Sequence, residues 1–262
     1  MKKGVQMYTV RSFMGDLKTL EATVKKIADI GYDCVQGGAR GFITDEDFQK
    51  MLEGYGLFNV TASGNYEQML ADPEAIKAAI KRAHIYNTSE VNVGTLPREL
   101  RESEEGFKFY AKCVNQIGAE LKKEGLKLVY HPHALECFSL GGGRKGLDIM
   151  LEETDPDAFG FVLDTHWLIC GGVDPADWIR KAKGRMQTVH FKDYKIIGGA
   201  NYVEEVCKQF AEIGEGNLDW PEIVAACRDI DIKNVIVEQD ICNGDPFDSL
   251  AVSFKNMVKL GV

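Results

Sequence analysis

The feature that most restricts the fold of this chain is an alternation of short apolar runs and amphipathic helical segments, repeated eight times. Short runs rich in β-forming residues are typical of buried parallel strands, and the segments between them carry apolar residues at helical spacing. The runs are GVQMYTV, YDCVQ, FNVTAS, SEVNVG, LKLVYH, FGFVLD, MQTVHF and NVIVEQD. Eight such units in 262 residues predict an α/β fold, a single-domain (β/α)8 barrel over residues 1–262, in preference to an open doubly wound sheet.

Residues suited to helix ends support several of the predicted helices. The segment LKTLEATVKKIADI stops before Gly31, and glycine is the usual residue at a left-handed helix end. Asp72 and Pro73 mark the start of PEAIKAAIKRAHIY. Asp219 is predicted to cap the helix within LDWPEIVAACRDI.

Two common nucleotide-binding motifs are missing from the sequence. A dinucleotide site needs G-x-G-x-x-G directly after the first strand, where this chain has RSFMGD, and no G-x-x-x-x-G-K-[ST] loop occurs. The run GGGRKG at 141–146 has two interpretations. It can bind a phosphate through its backbone N–H groups, or it can be a flexible loop, which is the commoner meaning of such a run.

The charge and the apolar patterning restrict the partners and the location. With 31 basic and 40 acidic residues, the formal charge is −9, which disfavours binding to a nucleic acid backbone. The opening MKKGVQMYTV has no apolar run long enough for a signal peptide, and no 18-residue apolar span is present. We therefore expect a cytoplasmic protein without membrane contact. The seven cysteines are scattered and lack a C-x-x-C pair, so reduced thiols are expected.

Four consecutive apolar runs in the second half of the chain end in side chains of the kind that bind metals. These side chains are His131, Asp164, His190 and Glu238. Because the carboxyl ends of barrel strands gather at one face, the four are expected to converge there. A strand-end His or Asp taken alone has a simpler explanation, as a hydrogen-bonded side chain or a helix cap. Four in succession favour a site for a divalent ion such as Mn²⁺, Zn²⁺ or Co²⁺.

The chain also resembles a known family along nearly its whole length. The resemblance is carried by GVQMYTVR, GYDCVQ, YHPHALE, LDTHW, HFKD, GEGNLDW, VEQD and DPFDSL. In these motifs the chain is similar to the sugar phosphate isomerase/epimerase group of the xylose-isomerase-like TIM barrels. LDTHW, HFKD and VEQD in that order are fairly specific for the superfamily, and none of the motifs names a substrate.

The resemblance implies a divalent ion, including Mg²⁺ among the candidates, held by side chains from the fifth to the eighth strands. Asp164, His190 and Glu238 fall on three of the ligand positions. On the fifth strand, His131 occupies the place where many relatives have a Glu, whereas Glu136 matches the acid of the Y-H-x-H-x-x-E form of the motif. Glu136 is the preferred fourth ligand, with His131 close enough to bind or to donate a hydrogen bond.

Further residues near these strand ends are candidates for catalysis and substrate binding. The candidates to move a proton are Glu136, Glu238, His131 and His133. Lys192, on the same side of its strand as His190, can neutralise negative charge on a substrate oxygen. The alternative for Lys192 is a solvent-facing side chain paired with Asp193. The residues expected to offer a flat apolar wall to a sugar ring are Trp167 and Trp220, although a packing role for at least one of them is the simpler interpretation.

Three positions depart from the family pattern. Gln36 stands where relatives often have a Glu at the end of the second strand, Asn65 lies near a position that is often His, and Pro132 replaces a usual Asn. These departures concern the substrate more than the metal.

The combined hypothesis is a metal-dependent isomerase or epimerase of a sugar, keto-sugar or related polyol, working by proton abstraction next to a carbonyl. A lyase or hydratase acting on a keto-sugar or keto-glycoside is the first alternative, because it begins with the same step. An endonuclease IV-like phosphodiesterase is disfavoured by the five histidines and the charge of −9. A non-catalytic sugar-binding barrel is the remaining alternative, and a homo-oligomer is compatible with the sequence.

Overall fold

The eight apolar runs form the strands of a parallel barrel in the computed structural model, which describes residues 1–198 and 207–262. Ten strand segments build the barrel because two of the runs are each split in two. The segments are β1 Lys2–Gln6, β2 Cys34–Gln36, β3 Phe58–Asn59, β4 Ala62–Ser63, β5 Glu90–Gly94, β6 Lys127–His131, β7 Phe159–Phe161, β8 Leu163–Asp164, β9 Thr188–Phe191 and β12 Asn234–Val237. The predicted (β/α)8 barrel is confirmed.

The split strands join two sets of hydrogen-bonded segments into one barrel. One set has the order β3-β2-β1-β12-β9-β8 and the other the order β4-β5-β6-β7. The third barrel strand contributes β3 to the first set and β4 to the second, and the sixth strand contributes β8 and β7 in the same way. Every pairing in these two sets is parallel. All the strands therefore end at the same face of the barrel.

Ten α-helices alternate with these strands in the described part of the chain. They are α1 Leu17–Ile30, α2 Asp45–Gly54, α3 Tyr66–Ala71, α4 Pro73–Ile85, α5 Glu104–Lys122, α6 Gly146–Glu153, α7 Thr165–Cys170, α8 Pro175–Lys181, α9 Trp220–Asp229 and α10 Pro246–Lys259. No helix among the described residues is both long and apolar enough to cross a membrane.

The helix ends that the sequence predicted are present. Gly31 ends α1 with φ of 112°, a left-handed conformation that glycine adopts without strain. The Asp72 carboxylate accepts a hydrogen bond from the Glu74 N–H at 2.9 Å, and Pro73 follows it as the first residue of α4. Asp219 caps α9 in the same way, accepting from the Glu222 N–H at 3.2 Å.

The interior of the barrel is filled tightly with small and branched side chains. Cys34, Val60 and Ile236 form a buried group there. Gly4 lies beside them, and a Cβ added at Gly4 would come within 2.6 Å of the Cys34 sulfur and 2.5 Å of the Ile236 side chain. This position requires glycine because the close-packed interior leaves no room for a larger residue.

Two elements near the carboxyl face were not predicted. Helix α7 starts directly after Asp164, and an antiparallel hairpin of β10 Asp193–Ile197 and β11 Cys207–Ala211 extends the chain beyond β9. The glycine run is a turn in which Gly141, Gly142 and Gly143 all have positive φ. The cysteines that the structure shows as free thiols are Cys34, Cys113, Cys137, Cys170, Cys227 and Cys242; the side chain of Cys207 lies outside the described residues.

The opposite end of the barrel holds a buried acid, Glu90, at the start of β5. It is 3% exposed, one carboxylate oxygen lies 3.5 Å from the Thr188 hydroxyl, and the other has no hydrogen-bond partner among the described residues. Burial raises the pKa of Glu90 to about 7, against an opposing effect of the Lys127 ammonium. Because this folded-state pKa exceeds the unfolded value of 4.5, ionisation of Glu90 destabilises the fold.

We predict that replacing Glu90 with Gln makes the protein less sensitive to alkaline pH. The wild-type carboxyl is neutral in both states at low pH, and the free energy of unfolding should fall as the pH rises from about 4.5 through 7. Relative to wild type, E90Q should therefore gain roughly 2 kcal/mol in free energy of unfolding between pH 5 and pH 8. Urea unfolding at both pH values measures this difference. The exposed Glu124→Gln variant is the control, and an equal pH response in E90Q and wild type would refute the prediction.

Candidate metal centre

Four buried side chains converge at the carboxyl face of the barrel. Each of His131, Asp164, His190 and Glu238 offers one ligand atom, and these atoms all lie within 4.8 Å of one another. The strand order explains the convergence, since Asp164 pairs with His190 between β8 and β9 and Glu238 follows β12, the other neighbour of β9. His131 ends β6, and its ring centroid lies 4.4 Å from that of His190.

The ring of His131 is oriented by a backbone carbonyl. Its Nδ1 lies 3.1 Å from the carbonyl oxygen of Val162, in the break between β7 and β8. Assigning the proton to Nδ1 lets this nitrogen donate to the carbonyl and leaves the Nε2 lone pair free. Nε2 faces the cluster, 3.9 Å from Glu238 Oε2. A backbone acceptor behind a ligating histidine is the usual way in which proteins fix such a ring.

His190 has oxygen atoms on both sides of its ring. Nε2 contacts Gln36 Oε1, and the Gln36 amide is itself held by donating to the Thr61 hydroxyl at 3.1 Å. On the other side, Nδ1 lies 2.9 Å from Glu238 Oε2 and 4.0 Å from Asp164 Oδ2. With Nε2 donating to Gln36, the Nδ1 side needs either a second proton or a cation facing the two carboxylates.

Asp164 presents an unsatisfied oxygen to the same space. Its Oδ1 accepts the Trp167 N–H at 2.9 Å, which caps α7, whereas Oδ2 is buried without a hydrogen-bond partner among the described residues. Burial raises the pKa of Asp164 to about 6, and the Lys192 ammonium opposes that rise. A buried carboxylate oxygen without a hydrogen-bond donor is costly unless a cation or proton meets it, and here the Lys192 ammonium lies 3.5 Å from Oδ2. The two imidazole nitrogens and two carboxylates thus fit a divalent ion such as zinc, manganese or cobalt.

Lys192 is buried beside this cluster. Its ammonium lies 3.1 Å from Asp240 Oδ2, 3.3 Å from Glu238 Oε2 and 3.5 Å from Asp164 Oδ2, and the residue is 1% exposed. Burial alone would lower the pKa of Lys192, but the three carboxylates outweigh burial and raise the pKa above its usual range. The alternative of a solvent-facing lysine paired with Asp193 is wrong, because the Asp193 carboxylate accepts from Trp220 Nε1 at 2.6 Å instead.

The cluster opens into a cavity of about 440 Å³. The residues that line it are Tyr8, Arg11, His131, His133, Trp167, Lys192, Glu238, Asp240 and Ile241. Its size lies within the range of sites that enclose small molecules. The cavity therefore joins the candidate metal ligands to the predicted His133, Lys192 and Trp167.

His133 and Trp167 form one side of the cavity. The ring centroid of His133 lies 4.7 Å from that of His131 and 5.4 Å from that of Trp167. Burial, together with the nearby Lys192 ammonium, lowers the pKa of His133, so its ring is neutral at pH 7. The Lys192 ammonium stands 4.9 Å from the centre of the Trp167 ring. A neutral imidazole and a protonated amine thus face the same space.

Two residues predicted for the site lie outside the cavity. Glu136 is buried with Oε1 accepting from the Tyr130 hydroxyl at 2.7 Å and Oε2 accepting from the His133 N–H at 2.6 Å. The four-residue cluster contains His131 and not Glu136, the fifth-strand ligand preferred from the sequence, and both Glu136 oxygens accept hydrogen bonds within the protein. Trp220 is 2% exposed, packs on Phe191 with ring centroids 4.8 Å apart, and has the packing role that the sequence left open.

Several residues of the site were not assigned a role from the sequence. Gln36, noted only as a departure from the family pattern, supports His190. Asp240 pairs with Lys192, and its place in VEQD, two residues after Glu238, was the available signal. Arg11 and Tyr8 line the cavity from GVQMYTVR. Asn65, by contrast, caps α3 by accepting from the Gln68 N–H at 2.9 Å.

The sequence and the fold of this chain are similar to those of known proteins. A family model described as xylose isomerase-like TIM barrel matches residues 24–247. An inosose dehydratase of Clostridium perfringens is 26% identical over 172 residues, which cover 60% of this chain and 55% of that enzyme. This chain therefore spans about half the length of the curated relatives it matches.

Two solved structures share the fold over nearly the whole chain. The crystal structure of a sugar phosphate isomerase/epimerase from Parabacteroides distasonis has a TM-score of 0.78 at 25% identity, covering 98% of this chain and 93% of that one. The IolI protein, whose structure contains a zinc atom, has a TM-score of 0.70 at 14% identity, covering 99% of this chain and 98% of that one. The match to the family model, supported by the barrel itself, shows that this chain belongs to the xylose isomerase-like TIM barrel family.

Proposed function

We propose that this protein is a divalent-metal-dependent isomerase or epimerase of a sugar, keto-sugar or related polyol. The observation that carries the proposal is the convergence of His131, Asp164, His190 and Glu238. Two of these residues, His131 and Glu238, also line a cavity together with His133 and Lys192. The ligand set we propose is those four residues, with Gln36 and the Val162 carbonyl fixing the two histidine rings. A divalent ion held there would supply Lewis-acid polarisation of a carbonyl and a neighbouring hydroxyl oxygen.

The remaining chemistry is assigned to side chains of the cavity. His133, neutral and facing the cavity, is our candidate to take the proton from the carbon next to the carbonyl. Lys192 is our candidate to donate a hydrogen bond to the oxygen on which negative charge develops. Asp240 keeps the ammonium in place, 3.1 Å from its carboxylate. Trp167 offers a flat apolar surface to one face of the substrate.

In this scheme Glu136 holds His133 in position by accepting a hydrogen bond from its backbone N–H. Its carboxylate bonds the His133 N–H and the Tyr130 hydroxyl, and that hydroxyl also accepts the Leu96 N–H at 2.8 Å. These bonds tie the loop after β6 to the loop after β5. The residues between His131 and Glu136 are thereby held so that the ring of His133 faces the cavity.

Elimination is the second candidate, and the relatives favour it. The curated relative is named inosose dehydratase, and loss of water from a keto-polyol begins with the same proton abstraction. An isomerase or epimerase returns the proton to carbon, whereas a dehydratase passes it to a leaving hydroxyl. The arrangement of His133 and Lys192 serves both outcomes.

We predict that metal binding depends on Asp164 and not on Glu136. The purified wild type should bind about one equivalent of a divalent ion after reconstitution, and D164N should bind it more than about a hundredfold more weakly, since even the loss of an outer partner costs ten- to a hundredfold. Metal analysis after dialysis, combined with calorimetric titration using Zn²⁺ or Mn²⁺, measures both. E136Q makes the same chemical change at a buried carboxylate outside the cluster and should retain the ion. Equal loss in the two variants would contradict the proposed ligand set.

We predict that His133→Ala lowers kcat/KM by roughly 10²- to 10⁴-fold, the usual contribution of a general base, while the bound metal is retained. Steady-state kinetics on the metal-loaded enzyme and metal analysis of the same sample test this. The surface variant His84→Ala is the matched control and should resemble wild type. Full activity in H133A would remove His133 from the mechanism.

We predict that turnover in deuterated water separates the two reaction types. With a panel of ketoses and keto-glycosides, an isomerase or epimerase yields a product of unchanged composition that carries one deuterium next to the carbonyl. A lyase yields a product that has lost water or a fragment. Mass spectrometry and proton NMR distinguish these outcomes, and an isomerised product without any deuterium would argue against proton abstraction by a side chain that exchanges with solvent.

A further inference from the structure

Arg11 lines the cavity and has no carboxylate partner among the residues that the structure describes. Its guanidinium donates to the carbonyl oxygen of Tyr8 at 2.8 Å and to that of Asp240 at 3.0 Å. Within residues 1–198 and 207–262, no carboxylate forms an ion pair with it. Asp240 offers Arg11 its backbone carbonyl only, because its carboxylate accepts a hydrogen bond from Lys192. The positive charge of Arg11 therefore remains unbalanced in the described structure.

Arg11 is exposed, and its guanidinium makes three contacts at this place, with the Tyr8 ring and with two backbone carbonyls. Its guanidinium stacks on the Tyr8 ring, with 4.0 Å between the guanidinium carbon and the ring centroid. The two backbone carbonyls use two of the five N–H donors of the guanidinium, which leaves three free. Free guanidinium N–H donors bind carboxylate and phosphate groups well.

The charges around the cavity favour an anion once the metal is bound. The cavity and the cluster beside it contain three carboxylates and two cationic side chains. The carboxylates are those of Asp164, Glu238 and Asp240, and the cations are Lys192 and Arg11. These five groups sum to one negative charge, and a divalent ion would turn the balance into one positive charge. Lys192 lies among the three carboxylates, so the uncompensated charge belongs to Arg11 at the rim.

Space for an additional group adjoins Arg11. A second cavity of about 270 Å³ lies next to the first and shares Arg11, Asp240 and Ile241 with it. Arg11 thus stands where the two cavities meet. Asp240 separates it from the metal ligands, because the carboxylate of that residue faces Lys192 and its carbonyl faces Arg11.

We propose that Arg11 binds an anionic group of the substrate, a carboxylate or a phosphate, at the end of the molecule remote from the metal ligands. This inference rests on the proposed function, because it concerns the substrate of the same site. It narrows the substrate class from neutral sugars and polyols to sugar acids or sugar phosphates. A purely structural Arg11, which only ties the loop after β1 to the loop after β12, would affect stability without affecting the preference for anions.

The test compares matched neutral and anionic probes by calorimetric titration of the Zn²⁺- or Mn²⁺-loaded protein. Xylitol and D-xylonate form the carboxylate pair, and D-xylulose and D-xylulose 5-phosphate form the phosphate pair. Each pair is measured with wild type, R11Q, R11K and the control R228Q, which removes an exposed arginine bonded to the carbonyl of Gly261 far from the cavity. The preference of a variant is the dissociation constant of the neutral probe divided by that of the anionic probe. Direct binding of xylonate to the metal would change this ratio equally in wild type and in R11Q, so a difference between the two variants reports on Arg11.

We expect wild type to prefer the anionic member of one pair, and the pair that shows the preference identifies carboxylate or phosphate. R11Q should lose roughly ten- to a hundredfold of that preference, the value of a charge-assisted contact, while R11K retains part of it and R228Q all of it. An unchanged preference in R11Q, or equal binding of neutral and anionic members by wild type, overturns the inference. If the inference is overturned but neutral probes bind and are turned over, the proposed function still holds. The proposed function fails independently of Arg11 if D164N keeps its metal and its activity.

Discussion

The buried charge cluster at the carboxyl end of the barrel is the constraint on which the rest of the site depends. Asp164 and Glu238 are removed from water, and such carboxylates persist in a folded protein only beside cations or hydrogen-bond donors. Lys192 supplies one cation, and the nitrogens of His131 and His190 face the same space. The barrel limits the free-energy cost of burying these charges because its strands hold each group in place from a different direction.

Much of this site could be predicted because strand ends are local features of a sequence. The apolar runs before Asp164, His190 and Glu238 marked their strands, and parallel strands of a closed barrel must end at one face. The side of Lys192 also followed from strand alternation relative to His190. The partner of Lys192 could not be predicted in this way. Asp240 lies 48 residues further along the chain and reaches Lys192 only because β12 pairs with β9.

The fifth strand shows why the remainder could not be predicted. His131 and Glu136 are five residues apart, and both side chains are of the type that binds metals, so spacing alone could not rank them. The choice depends on the hydroxyl of Tyr130 and the backbone of His133, which occupy both Glu136 oxygens. Trp220 is a similar case. Its indole N–H donates to the Asp193 carboxylate, and the two residues meet only because the turn between β11 and α9 also bonds that carboxylate.

A histidine at the end of β6 has an electrostatic consequence for the whole cavity. By the family resemblance, many relatives have a Glu at this place, and a third carboxylate among the ligands would leave a divalent ion and its ligands with one net negative charge. With the proposed ligand set that includes His131, a divalent ion and its two carboxylates would be neutral together, and Lys192 is paired with Asp240. Among the described residues no carboxylate pairs with Arg11, and negative charge that develops on a substrate oxygen would meet less repulsion from these ligands. An imidazole in place of an acid would thus favour anionic substrates and anionic intermediates in this cavity.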